Sequence, residues 1–97
     1  MTDHNNKYPN ANECISLLEK MGCSKKVICH CKAVCDIALR IARRTNADLQ
    51  LVEAGALLHD IGRSQTHGID HAIVGARIAK KLGLPQEIIG IIEILFL

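Results

Sequence analysis

Apolar residues recur at intervals of three and four in the second quarter of the chain, and this spacing constrains the fold most. Val27, Cys31, Val34, Ala38 and Ile41 follow one another in this way. Residues three and four apart share one face of an α-helix, so these side chains are predicted to form the buried face of a long helix. No segment shows the strict apolar–polar alternation of a half-buried strand. The sequence therefore predicts an all-α fold.

Capping residues mark where the first three helices begin. Asn10, with Glu13 three residues later, forms a capping-box pattern, and Gly22 is expected to end that helix in the left-handed conformation. Ser24 and Asp48 are suited to cap the second and third helices.

Glycine and proline divide the second half of the chain. Gly62 is expected to end the third helix, and residues 62–69 to form a polar loop. A fourth helix then starts near Ile69 or Asp70, and Pro85 occupies the first position of a fifth. Short connections between about five helices are typical of a helical bundle.

Length and composition describe one small domain. The 97 residues suffice for a single core, and 48% of them are apolar, which excludes a disordered chain. Residues 1–9 are predicted to form a polar N-terminal arm, followed by a domain over residues 10–97. The net charge of +2 and an aromatic content of 2% argue against nucleic acid as a partner.

The cysteines indicate a reducing compartment. There are five, an odd number, and the first 13 residues lack the apolar run of a signal peptide, so we expect a cytoplasmic protein without disulfides. No apolar run reaches the ~18 residues of a membrane helix, which predicts no membrane association. Cys31 and Cys35 lie one helical turn apart, so a zinc or iron–sulfur site remains as a minor alternative.

Histidine and aspartate indicate a different metal site. The apolar run 54–58 leads directly into His59 and Asp60, and a carboxylate at the edge of a buried surface is costly unless it is paired. His30 on the second helix offers another imidazole, although a lone histidine on an apolar face is more often a core residue. Imidazole and carboxylate together suit divalent Mn, Fe, Co, Ni or Zn.

Three segments carry a family resemblance. Residues 55–63, Gly-Ala-Leu-Leu-His-Asp-Ile-Gly-Arg, resemble the signature of the HD superfamily of metal-dependent phosphohydrolases in its HDIG form. His30 is similar in placement to the first metal-binding histidine of that family, and residues 71–78 resemble its His-x-x-x-Gly helix start. The match covers roughly residues 24–93 and is closest to the small stand-alone HDIG proteins.

The resemblance implies an HD-domain-like bundle and a function. His30, His59 and Asp60 would bind one divalent metal ion (Mn, Mg, Fe, Co, Ni or Zn), with His71 and a bridging Asp60 serving a second. The substrate would be a phosphomonoester or phosphodiester, often a nucleotide, hydrolysed by metal-activated water.

Two further residues receive candidate roles. Arg63 would bind a substrate phosphate, the alternative being a solvated loop arginine. His67 would act with Asp60 in catalysis by donating a proton to the leaving group, the alternative being an exposed loop histidine.

The sequence also lacks one residue of the family pattern. The superfamily closes its metal site with a further aspartate well beyond His71, whereas the last aspartate here is Asp70. This predicts a domain incomplete at its C-terminus, with an open coordination position. The alternative function is an inactive remnant or a regulatory binding module. The apolar residues 88–97 are expected to be exposed and to favour a dimer or larger homo-oligomer.

Overall fold

Every regular element in the computed structural model, which describes residues 7–94, is helical. The predicted all-α fold with five helices is confirmed, and it has the form of an HD-like bundle. The elements are α1 (Ala11–Lys20), α2 (Lys25–Ala42), α3 (Leu49–Leu58), a 3₁₀ turn (Ile61–Ser64), α4 (His71–Lys81) and α5 (Gln86–Ile94).

The predicted caps form the ends of the first helices. The Asn10 side chain accepts a hydrogen bond from the Glu13 backbone, and the Glu13 carboxylate accepts one from the Asn10 backbone. Ser24 and Asp48 accept in the same way at the starts of α2 and α3. Gly22 lies after α1 with a φ of +90°, a backbone conformation that residues other than glycine rarely adopt.

The connection between α3 and α4 differs from its prediction. Helix α3 ends at Leu58, ahead of Gly62, and the predicted polar loop begins instead with the 3₁₀ turn. Gly62 is buried within that turn and does not end a helix. Pro85 directly precedes α5, and its carbonyl accepts the first hydrogen bonds of that helix.

Helix α3 is the centre of the molecule. It packs against α1, α2 and α5, and its last five residues are all buried. Gly55 lies against the side chain of Ile91 on α5, so the small residues of α3 do allow another helix to approach closely. Because these five residues are buried on every side, the packing of this end of α3 determines where the residues that follow it lie.

The buried face of α2 is displaced from the predicted one. Val27 and Cys31 are buried as expected, but Ile41 is 64% exposed. The other buried positions of the helix are Ile28, Cys35 and Ala42. Cys35 lies four residues after Cys31, and Ala42 lies seven residues after Cys35. Val34 and Ala38 of the predicted face are half-buried and pack against the core, so the predicted face is covered at its start and leaves the core towards Ile41.

Part of the apolar C-terminal segment belongs to the core. Ile88, Ile89 and Ile92 are at most 3% exposed, so the expectation of an exposed patch starting at Ile88 is wrong. Ile94 is 65% exposed, and residues 95–97 lie outside the described part of the chain. Self-association through this segment stays a prediction.

The N-terminal arm is attached to the bundle where it is described. Tyr8 is buried in the core, and its hydroxyl donates a hydrogen bond to Glu87 on α5. Lys7 pairs with the same carboxylate at 2.6 Å. Lys7 and Tyr8 therefore lie against α5, and residues 1–6 lie outside the described range.

None of the helices within residues 7–94 has the length and hydropathy that a bilayer span requires.

Candidate metal centre

Asp60 lies at the centre of the site. It follows directly on α3, and only 3% of it is exposed, which makes it the buried charged residue of the described core. His30 on α2 places Nε2 at 3.2 Å from Asp60 Oδ2, and His59 places Nε2 at 3.4 Å from the same oxygen. The ligand atoms of these three residues all lie within 4.8 Å of one another. The structure thus brings the predicted triad together.

Backbone carbonyls fix the orientation of two histidines. His59 Nδ1 donates a hydrogen bond to the carbonyl of Ala56, and His71 Nδ1 donates one to the carbonyl of Gly68 at 3.0 Å. A carbonyl oxygen can only accept, so Nδ1 carries the proton in both rings. Nε2 is therefore the coordinating nitrogen in each neutral ring.

The charges around Asp60 keep it ionised. Burial alone would raise the pKa of this carboxyl group, but the hydrogen bond and charge of His59, followed by the charges of Arg63 and His30, hold the pKa at about 2. Burial alone would lower the pKa of His59, yet its hydrogen bonds to Asp60 and to the Ala56 carbonyl raise it. In the metal-free protein both shifts favour the pairing of an ionised Asp60 with a protonated His59.

The triad fits a divalent metal ion. Two imidazole nitrogens and one carboxylate oxygen form a donor set that suits zinc and its first-row neighbours. Two ligand atoms bound to one tetrahedral ion at about 2.1 Å lie about 3.4 Å apart. The distances of 3.2 and 3.4 Å from Asp60 Oδ2 to the two nitrogens agree with that spacing.

His71 approaches the other oxygen of the same carboxylate. Its Nε2 lies 3.5 Å from Asp60 Oδ1, whereas His30 and His59 face Oδ2. His71 is outside the group whose ligand atoms are mutually close. The arrangement places one imidazole beside Oδ1 of Asp60 and two beside Oδ2.

Arg63 contacts the centre itself. Its Nε lies 3.1 Å from Asp60 Oδ2, as a close ion pair without the alignment of a hydrogen bond. The side chain is one-third exposed, so it reaches from the buried carboxylate to the surface. This contact was not expected from the sequence, which suggested only a phosphate ligand or a solvated residue.

A cleft of about 390 Å³ opens beside the triad. Its wall includes His30 of the triad together with Arg63 and His67, so the structure places both residues with predicted substrate or proton-transfer roles next to the centre. The remaining lining residues come from the start of α2: Ser24, Lys26 and Val27.

A close backbone contact holds α4 against the centre. A Cβ atom on Gly62 would overlap the carbonyl oxygen of His71 and lie 2.7 Å from the backbone nitrogen of Gly75. Gly75 in turn packs against the backbone of Gly62. The two glycines allow the 3₁₀ turn to touch α4, and this contact brings His71 to Asp60.

The sequence reasoning missed three features of the site. The carbonyls of Ala56 and Gly68 each lie three residues before the histidine that they orient, and this spacing is the only signal that a sequence offers. Lys26 lines the cleft, and no pattern in the sequence indicates this position.

The cysteine alternative receives no support. Cys31 and Cys35 are buried, and burial raises the pKa of the Cys31 thiol to about 12, which disfavours the thiolate that a metal requires. Among residues 7–94 the only group of side chains placed to hold a metal ion is the His30–His59–Asp60 triad.

Several known proteins are similar to this chain in sequence. The family model of the HD domain matches residues 27–96. A tRNA (cytidine(56)-2'-O)-methyltransferase of Thermoplasma volcanium is 49% identical over 85 residues, which is 88% of this chain and 25% of that protein. An uncharacterized protein of Methanocaldococcus jannaschii is 43% identical over 84 residues, 81% of this chain and 49% of that protein.

A ribonuclease Y of Cutibacterium acnes is 32% identical over 77 residues, 76% of this chain and 14% of the enzyme. The chain thus spans half or less of each of these relatives. No solved structure matches. The family model covers most of the chain, including all three residues of the triad, and the chain therefore belongs to the HD domain family of metal-dependent phosphohydrolases.

Proposed function

We propose that this chain is a metal-dependent phosphohydrolase domain that hydrolyses a phosphomonoester or phosphodiester, such as a nucleotide. The observation that carries the proposal is the convergence of His30, His59 and Asp60, whose ligand atoms lie within 4.8 Å of one another beside an open cleft. HD domains bind divalent metals, and the donor atoms here match that chemistry.

Each residue of the centre has a separate task in this proposal. His30 and His59 would hold the metal through Nε2 and Asp60 through its carboxylate, while His71 would serve a second ion. A divalent cation supplies Lewis acidity towards a phosphoryl oxygen and a nucleophilic water at neutral pH. The protein contributes the orientation of these ligands through the carbonyls of Ala56 and Gly68.

The cleft residues act on the substrate. The Arg63 guanidinium lies close enough to the centre to bind oxygens of a phosphoryl group held there, and its charge offsets the negative charge of the transition state. His67 lies in the same cleft, where it donates a proton to the leaving oxygen.

A second candidate is a metal-dependent binding module without turnover. Its support is that the chain aligns with only a quarter of a protein named for methyl transfer to tRNA, so a domain of this kind also occurs within proteins named for other reactions. Ribonuclease Y, in contrast, is named for the cleavage of phosphodiester bonds in RNA and supports the hydrolase. The turnover assay below distinguishes the two candidates.

The test measures metal content and turnover together. The purified chain is loaded with Mn²⁺, desalted and assayed with p-nitrophenyl phosphate and bis(p-nitrophenyl) phosphate. We expect about one or two ions per chain and metal-dependent release of nitrophenol. Asp60→Asn removes the anionic ligand, so bound metal and turnover should fall by at least about hundredfold.

Asp70→Asn is the matched control. Asp70 is exposed, ten residues further along, and accepts a hydrogen bond only from the Thr66 hydroxyl, so it should retain wild-type metal content and turnover. Metal retained in Asp60→Asn would contradict the site. Metal bound at wild-type level without turnover of either ester would favour the binding module.

A further inference from the structure

The cleft extends from the metal centre to a second positive charge. Its wall includes His30 and Arg63 beside Asp60, and it also includes Lys26, one helical turn before His30 in the first turn of α2. None of the described residues that line the cleft is acidic. A concave wall with two cationic side chains and no lining carboxylate favours an anionic ligand with more than one charged group.

Arg63 is held in place before any ligand arrives. Its Nε is paired with Asp60 Oδ2 at 3.1 Å, so the guanidinium cannot swing away without breaking a contact to a buried carboxylate. Within residues 7–94 no acidic side chain other than Asp60 lies within ion-pair distance of it. Its terminal nitrogens are therefore available for one phosphate next to the metal centre.

The Lys26 ammonium group has no ion-pair partner among the described side chains. It forms no ion pair or hydrogen bond to another described side chain, and it is exposed on the cleft wall. The cleft volume of about 390 Å³ lies within the range of pockets that hold molecules much larger than a phosphate ion. A substrate that fills this space from Arg63 onwards reaches the Lys26 ammonium group.

We infer that Lys26 binds a second phosphate group of the substrate and so makes the site selective for esters such as nucleoside diphosphates over monophosphates. This inference rests on the proposed function for the position of the first phosphate. Lys26 thereby determines specificity and takes no part in the chemical step.

Lys25 provides a matched control. It precedes Lys26 on the same helix turn and is equally exposed, but it is absent from the cleft wall. Adjacent residues on a helix point about 100° apart, so the two lysines have the same effect on net charge and a different position relative to the cleft.

The experiment measures binding without metal, so that it does not depend on turnover. ¹⁵N-labelled chain in EDTA is titrated by NMR with adenosine 5′-diphosphate and with adenosine 5′-monophosphate, for wild type, Lys26→Gln and Lys25→Gln. We expect the wild type to bind the diphosphate about fivefold more tightly, the effect of one partly exposed ion pair. Lys26→Gln should lose this preference, with unchanged affinity for the monophosphate, and Lys25→Gln should retain it.

Two outcomes would overturn the inference: equal preference in both lysine variants, or shifted amide signals that lie away from Val27, His30 and Arg63. The result is separate from that of the turnover assay. If Mn²⁺ supports no hydrolysis but Lys26→Gln alone loses the preference, the phosphate subsite stands and the hydrolase proposal fails. If hydrolysis occurs and Lys26→Gln behaves like wild type, the hydrolase proposal stands and the phosphate subsite is refuted.

Discussion

At Asp60 a single buried carboxylate receives contacts from four nitrogen-bearing side chains. Two imidazoles and the Arg63 guanidinium face Oδ2, and the third imidazole faces Oδ1. An unpaired carboxylate at 3% exposure would oppose folding, so these groups are required for stability as well as for metal binding. This explains why the buried apolar end of α3 can lead directly into a histidine and an aspartate.

Thiol reactivity tests the burial of individual residues around this centre. Burial raises the pKa of Cys14 and Cys31 to about 12, so at pH 8 about one thiol in ten thousand is ionised. Cys29 is exposed on the opposite side of α2. We expect Ellman's reagent at pH 8 to modify Cys29 in a fast phase and Cys14 and Cys31 only on unfolding.

The control for this prediction is Cys29→Ser, which should abolish the fast phase, while guanidinium chloride releases all remaining thiols. Labelling of Cys31 in the native protein at the rate of Cys29 would show that α2 does not pack on α3 as described.

The triad could be predicted at the residue level because each member carries a chemical signal in the sequence. His59 and Asp60 follow an apolar run, and His30 occurs one helix earlier. The positions of Lys26 and Ile41 could not be predicted, since both depend on which of two overlapping faces of α2 meets α3. That choice is made by tertiary packing and not by spacing alone.

At the scale of elements, the 3₁₀ turn and α4 make a close backbone contact beside the site. Gly62→Ala would place a methyl group against the backbone of α4, which cannot move aside as a side chain can. We expect this variant to lose about 3 kcal/mol of unfolding free energy, the upper range for overpacking. Urea denaturation measures the loss, and metal content should fall with it because His71 and Asp60 separate.

Gly90→Ala is the same substitution at a glycine with open space around it, and the opposite effect on stability is expected. A Cβ atom on Gly90 would have no neighbour within 4 Å, and the residue lies inside α5. Alanine should therefore raise the unfolding free energy by about 0.5–1 kcal/mol through the smaller entropy of the unfolded chain. Equal effects at both glycines would mean that the turn does not contact α4.

The helices were predictable where a local signal defines them. The caps at Asn10, Ser24 and Asp48 bond to backbone groups two or three residues away, so the sequence contains both partners. The 3₁₀ turn was missed because its glycine serves a contact with Gly75, thirteen residues later. A glycine that ends a helix and a glycine that touches another helix look the same in a sequence.

On the scale of the whole molecule, the metal centre joins three separate parts of the chain. His30 belongs to α2, His59 and Asp60 follow α3, and His71 begins α4. A ligand that binds only the folded arrangement stabilises it by mass action, by about 2.7 kcal/mol at one hundred times its Kd. Because the unfolded chain loses this arrangement, metal removal should act on the stability of the entire bundle.

Thermal unfolding with Zn²⁺ and with EDTA tests this coupling and its pH dependence. For a domain of this size the metal should raise Tm by about 10 °C or more. Protons compete with the metal for the imidazoles. Burial alone would lower the pKa of His59, but its hydrogen bonds to Asp60 and Ala56 raise the pKa overall. Protonation of His59 therefore stabilises the metal-free fold fully below about pH 6.5 and progressively less as the pH rises. The Tm difference between Zn²⁺ and EDTA should therefore grow from pH 6 to pH 8. Asp60→Asn should show no such difference, and a zinc-dependent shift that survives in this variant would place the ion elsewhere.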